Sequence, residues 1–396
     1  MSSNRWRIAG ACVATHVCLG SVYAWSVFVP ALQRQTGWSK PQLTWAFSLA
    51  IAFLGLTAAL AAPLVHRLGP RASVGLSAAF FCAGLVGAGL AVQARSLLLL
   101  YVCYGAVGGI GLGLGYVPPV TTLMRWFVDR KGFATGMAVG GFGLGALLAS
   151  YLGEALLHRF SCGTTFLLLG ALYGCVILLA SRPLVLPEGG IRAARPTASA
   201  FREPLFWLLW AVFFVNIATG ILLIALARPM LEEGARGTAP AVPVVTAVAL
   251  MGLCNGLGRL GWASLSDRAG RTPTWCGMFL LQGAVFLVLR GSASTLAMTL
   301  GFWIVASCYG GGFAICPALV ADAFGGDRAP GIYGLTLTAW GAAALVSPPL
   351  AAWMREACGS YAAVLGICAA ASGVGIGLMA ALRRSLAGLS RTTAVR

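Results

Sequence analysis

Apolar residues in this chain come in runs, and the runs show no strand-like alternation. Twelve of them are long enough to matter, at about 8–33, 41–65, 72–94, 96–124, 133–157, 163–184, 204–229, 241–265, 275–291, 294–321, 331–354 and 358–382. A hydrocarbon layer of about 30 Å is crossed by about 20 helical residues, so each run is predicted to be a membrane helix. Lipid offers backbone groups no hydrogen-bond partner, and only helices and closed barrels can then span it. Without alternation the barrel drops out. The predicted fold class is an all-α membrane protein with twelve transmembrane helices.

Polar breaks divide the twelve into two sixes. The only sustained polar stretch is 185–203, ending PEGGIRAARPTASAFRE, and its Pro, Gly and Arg content suits a linker. The expected organisation is an N-terminal six-helix bundle at 1–184, this linker, and a C-terminal six-helix bundle at 204–396. Two turns at half-chain distance resemble each other: Ala62-Pro-Leu-Val-His66-Arg67-Leu-Gly69-Pro-Arg71 and Ala263-Ser-Leu-Ser-Asp267-Arg268-Ala-Gly270-Arg271. Asp129-Arg130 after the fourth helix pairs in the same way with Asp327-Arg328 after the tenth. Internal repeats of this kind are how many transporters are built.

Composition agrees with the pattern: 59% of residues are hydrophobic, mean hydropathy is +0.87, and there are 53 glycines. No range is left over for a sizeable soluble domain. The formal charge of +17 raises the question of a nucleic-acid partner, and its distribution answers it. With the N-terminus cytoplasmic, the segments on that side hold 18 Lys and Arg and the opposite side 8, Arg259 being the last of the 27. This is the positive-inside bias, with both termini and the linker in the cytoplasm, and it needs no nucleic acid. The first helix follows a short basic segment and is too long for a signal-peptide core, so it is expected to be retained. Twelve cysteines are scattered singly, with no C-x-x-C and no metal spacing against His16, His66 or His158; no metal or other cofactor is expected.

The D-R-x-G-R type of turn after helices 2 and 8 resembles the signature of the major facilitator superfamily, with His66 standing where the first copy would have its acid. GSVYAWSVFVPALQRQTGWSKPQLTWAFSLA at 20–50 and RWFVDRKGFATGMAVGGFGLGA at 125–146 resemble, more narrowly, the oxalate:formate antiporter family and its relatives, the monocarboxylate transporters. The resemblance covers essentially the whole chain. It implies two pseudo-symmetric six-helix bundles rocking about a central site, in the plasma (inner) membrane of a bacterium, acting as a monomer. Glycine ladders at Gly132, Gly136 and Gly140 and at Gly141 and Gly145 fit the close helix packing such rocking needs. Pro118, Pro119 and Pro317 remove backbone donors and loosen helices 4 and 10.

Arg259 is the sharpest chemical signal. It lies eight residues before Asp267 in an apolar run, about 12 Å at about 1.5 Å per residue, which places it near the bilayer midplane. A charge there costs about 2.5–3.5 kcal/mol on insertion scales. Snorkelling to the interface is the plain alternative; the functional one is a forked donor for a carboxylate. Asn255, one turn earlier on the same face, can orient the guanidinium or donate to the anion. N-x-x-x-R resembles the D-x-x-x-R of animal monocarboxylate transporters with the acid neutralised. Tyr23, Tyr116 and Tyr309 combine a ring with a hydroxyl and are further candidates to bind substrate. So is Trp340, which stands where relatives that handle oxalate carry a lysine.

Candidates for carrying a proton are His16, Glu154 and Asp322. Asp129, Arg130, Asp267, Arg268 and Arg271 are expected to lock the cytoplasmic ends of helices together. An intramembrane enzyme is not expected, since the chain has no H-E-x-x-H, no paired intramembrane carboxylates and no Ser/His or Cys/His pair. The expected function is secondary active transport of small monocarboxylates such as lactate or formate by proton symport. Anion exchange of the oxalate:formate type, or a non-transporting anion sensor on the same fold, are the alternatives.

Overall fold

A computed structural model describes residues 2–60, 62–127, 131–187, 198–235, 240–292, 294–325 and 328–394. Twelve helices in it are long and apolar enough to cross a membrane. In chain order α1 to α12 they are Arg5–Thr36, Lys40–Leu60, Arg67–Gln93, Leu97–Trp126, Gly136–Arg159, Cys162–Ser181, Pro204–Gly234, Val244–Ala269, Arg271–Arg290, Thr295–Phe324, Gly331–Cys358 and Ala362–Leu386. Each predicted run falls on one of them, and the chain is an integral membrane protein. The turn before α3 differs from expectation: a helix begins at Ala62 and runs on to Gln93, broken only by a kink at Gly69, whose φ of 75° a residue without a Cβ adopts freely.

Packing follows the two sixes. Within the first, α3 lies on α4 and α6, and α5 on α1; within the second, α10 lies on α7 and α8, and α9 on α12. The halves meet chiefly along α5 with α8 and α2 with α11. In a duplicated chain helix 5 corresponds to helix 11 and helix 2 to helix 8, so one crossing is the counterpart of the other. Backbones touch at both. A Cβ on Gly143 would come 2.4 Å from the Gly252 carbonyl oxygen, and one on Gly55 would come 2.7 Å from that of Leu337. The expected glycine ladder divides differently: Gly141 and Gly145 face α1, Gly140 faces open space, and Gly143 makes the contact between halves. The side chain of Thr135 and those around Gly132 lie outside the described residues.

Three helices depart from regular geometry along their length, α1 near its middle and α4 and α11 near their starts. A 3-10 turn at Ser21–Ala24 interrupts α1, a π segment at Tyr101–Val107 opens α4, and α11 breaks at Leu337 between Ala329–Thr336 and Thr338–Cys358. Such interruptions redirect side chains and gather at functional sites.

Ion pairs sit at the two ends. At the end called outer here, Glu233 of α7 pairs with Lys40 of α2 and, at 2.6 Å, with Arg355 of α11. Beside it, Arg228 of α7 bonds Glu154 of α5 at 2.5 Å, Glu232 at 2.7 Å and the Val27 carbonyl at 3.1 Å. These bonds tie one half to the other. At the inner end, Arg271 holds Asp267 at 2.5 Å, Ser266 at 2.6 Å and Asp322 at 3.7 Å, and Arg328 holds Glu203 at 2.6 Å. All of those groups belong to the second half except Glu203, the last residue of the linker. Arg268 is exposed; Asp129 and Arg130 lie outside the described residues.

Candidate functional site

Where the two halves meet, α8 turns Arg259 inward with no solvent exposure. Its Nε donates to Asn255 Oδ1 at 3.0 Å, one turn back on the same helix. That bond fixes the plane of the guanidinium and leaves Nη1 and Nη2 without a hydrogen bond of good geometry. The Phe313 ring of α10 lies 5.0 Å from the guanidinium carbon, within cation–π range. Close helix approach sets the register: a Cβ on Gly310 would fall 2.2 Å from the Asn255 carbonyl oxygen, so only glycine lets α10 come this near α8.

Aromatic side chains from both halves close around this point. The 3-10 turn of α1 supplies Tyr23, whose hydroxyl is 2.7 Å from that of Tyr309 on α10. Tyr309 fits against α7 because Gly220 has no side chain; a Cβ there would come 2.6 Å from the ring. Tyr116 of α4 is 5.3 Å from Trp340 of α11, and Trp340 is 4.7 Å from Phe313. Phe142 of α5 completes the group, 5.2 Å from Tyr116 and 5.7 Å from Tyr23. All six rings are buried.

What the cluster leaves unsatisfied defines its chemistry. Arg259 Nη1 and Nη2, Asn255 Nδ2, Trp340 Nε1 and the Tyr116 hydroxyl make no well-formed hydrogen bond, although the Tyr23 and Tyr116 hydroxyls lie near enough to the guanidinium to interact with it and Tyr116 near enough to Tyr333. A buried polar group left unpaired costs about 1–3 kcal/mol. Four of these five can only donate, and the fifth is a hydroxyl that donates readily. An acceptor-rich ligand with one negative charge satisfies them together, and a carboxylate matches the two parallel donors of the guanidinium. Asn216 of α7 adds a buried amide close by, its Nδ2 donating to the Cys308 carbonyl at 3.4 Å and its Oδ1 unpaired.

The structure therefore brings together all six residues expected to bind substrate. Phe313, Phe142 and Asn216 join them. Phenylalanines within apolar runs carry no distinguishing signal in the sequence; Asn216, a lone amide in the apolar stretch of α7, does carry one. Of the three candidate proton carriers, His16 alone adjoins the site. Its ring stacks on Tyr116, centroids 5.4 Å apart and planes at 23°, and contacts Phe142 edge-on. Glu154 lies at the outer end bonded to Arg228, and Asp322 is exposed at the inner end.

Comparison with known proteins agrees with this arrangement. The sequence pattern of the Major Facilitator Superfamily matches residues 11–289. The oxalate:formate antiporter of Oxalobacter formigenes is 28% identical over 359 residues, which cover 87% of this chain and 82% of that protein. Human monocarboxylate transporter 11 is 28% identical over 380 residues, 90% of this chain and 78% of that one. Among solved structures, a bacterial homologue of the human lysosomal transporter Spinster, inward-facing and unoccupied, superposes with a TM-score of 0.69 at 17% identity over 98% of this chain and 95% of its own. That last likeness concerns the fold. The chain belongs to the Major Facilitator Superfamily and is a transporter of the oxalate:formate antiporter and monocarboxylate transporter type.

Proposed function

We propose that the protein is a secondary active transporter of small monocarboxylates of the lactate or formate kind, moving the anion with a proton by alternating access. The observation that carries the reading is the pair of free Nη donors on a fully buried Arg259, ringed by neutral donors and aromatic faces. One fixed positive charge balances one carboxylate. A dianion would leave a negative charge uncompensated in a dry site, which costs several kcal/mol. Trp340, a neutral indole in the site where a dianion would need a second cation, supports the same preference.

Residues 1–184 and 204–396 act in this scheme as the two rocking bodies, with 185–203 joining them in the cytoplasm. Asp267, Arg268 and Arg271 serve the inner gate. The basic-residue bias supports an orientation with both termini inside, and a monomer suffices because both halves of the site come from one chain.

Reconstitution tests the proposal. Proteoliposomes should accumulate labelled lactate or formate above the passive leak when protons are supplied on the outside. Accumulation that instead requires an internal anion and ignores the pH step would assign exchange. Binding without any flux would assign a sensor.

A further inference from the structure

Beside the anion site, one buried side chain faces more acceptors than its ordinary form can serve. His16 of α1 has no solvent exposure. Its Nδ1 is 2.6 Å from the carbonyl oxygen of Ala138 on α5, and its Nε2 is 3.0 Å from that of Tyr116 on α4. A carbonyl oxygen only accepts hydrogen bonds. A neutral imidazole owns one N–H and one lone pair, so in either tautomer one ring nitrogen turns its lone pair toward a carbonyl oxygen. The imidazolium donates at both nitrogens. The two contacts thus suit the charged ring and frustrate the neutral one.

Two influences oppose that charge in the empty protein. Burial removes water from the ring, and Arg259, reached from it through the Tyr116, Trp340 and Phe313 rings, carries a like charge that repels it. Tyr116 of α4 is the other titratable group against it; among the described residues no carboxylate faces it. An anion seated on Arg259 cancels the opposing charge. Proton and anion then bind more tightly together than apart, which is what a symporter requires.

We infer that His16 carries the coupled proton: the neutral ring takes one H⁺ from the medium when a carboxylate occupies Arg259, and returns it on the side where the anion leaves. The ring needs no contact with the substrate. Tyr116 links them, its carbonyl accepting from His16 and its ring forming a wall of the anion site. The inference rests on the carboxylate reading of Arg259 given above.

The chain has 3 histidines, so histidine-selective ¹⁵N NMR can follow each ring. In the purified wild type near neutral pH, saturating lactate or formate should convert one ring to imidazolium, and that signal should be missing from His16→Gln. Calorimetry in buffers of different ionisation enthalpy should find proton uptake approaching one per anion bound in the wild type. In proteoliposomes, His16→Gln should lower proton-driven accumulation relative to lactate counterflow at least tenfold. Should the variant fail to fold, the wild-type spectrum still decides. Proton uptake on anion binding with all three rings unchanged would overturn the assignment, as would undiminished proton-driven accumulation by His16→Gln. Wild-type protein that binds neither lactate nor formate would instead overturn the anion reading, and this inference with it.

Discussion

Arg259 commits one of its five N–H donors to Asn255 and holds the forked Nη pair free, so its contribution lies in what it has yet to bind. Removing one partner of a desolvated charge pair costs about 2 kcal/mol or more, about 30-fold in affinity. Arg259→Ala should therefore weaken lactate or formate binding by at least that factor and abolish transport, with the protein still eluting as a folded species in detergent. Arg259→Lys should remain severely impaired because an ammonium lacks the two-point geometry. An alanine variant with full transport would make the arginine structural. Asn255→Asp is the companion test: a carboxylate 3.0 Å from Nε would hold the guanidinium as an internal anion, and apparent affinity should fall. At this scale the sequence is legible where a residue violates its surroundings. A charge or an amide in an apolar run stands out, and N-x-x-x-R already implies the bond that orients the fork. The Tyr23–Tyr309 hydroxyl pair and the two carbonyls around His16 do not stand out, because they depend on which distant backbone lies opposite.

Helices are the part of this protein that hydropathy predicts well, since lipid forces every spanning segment to satisfy its own backbone. Their interruptions are harder to see. Proline marks helices 4 and 10, yet the 3-10 turn that aims Tyr23 and the break at Leu337 before Trp340 contain none. Which helices carry the contact between halves is equally hidden: Gly143 and Gly140 look alike in sequence, but a Cβ on Gly143 would strike α8 backbone while one on Gly140 would meet nothing within 4 Å. Gly143→Val should therefore push α5 off α8, at a cost of about 1–3 kcal/mol for overpacking, and cut transport sharply. Gly140→Ala, pointing into open space, should leave transport and stability near wild type. Comparable loss in both variants would show that the α5–α8 contact has no special part. The outer end offers a second element-scale test. Glu233 separates two cations on different halves, and Glu233→Gln leaves Lys40 and Arg355 to repel each other. A loss of about 1 kcal/mol would shift the balance between closed and open outer ends about fivefold. Spin-label distances across that end should lengthen in a larger fraction of molecules; an unchanged distribution would mean these bonds do not hold the end shut.

For the molecule as a whole, orientation and charge movement follow from the same few residues. The 18-to-8 bias of basic residues predicts that the segment around position 190 lies in the cytoplasm. A cysteine introduced there should resist impermeant thiol reagents in intact cells and react after lysis; external labelling would invert the topology. The transport cycle can then be followed by its charge. In the proposed cycle the empty site carries Arg259 alone; the loaded site carries Arg259, one carboxylate and, with the coupled proton on His16, one imidazolium. Both states hold a single net positive charge, so the membrane potential does no work on a full cycle of monocarboxylate and proton. Uptake of lactate or formate should be driven by the pH step and be indifferent to a potential set with potassium and valinomycin. Oxalate breaks the balance. Its second carboxylate would meet Trp340 Nε1 and the Tyr116 hydroxyl, which are neutral, while both N–H groups of a charged His16 are engaged by backbone carbonyls behind the Tyr116 ring. Oxalate should therefore compete poorly with lactate, and any oxalate that is carried should move net negative charge and respond to the potential. Oxalate uptake equal to that of lactate with Trp340 intact, or lactate uptake that follows the potential, would overturn this accounting of charge.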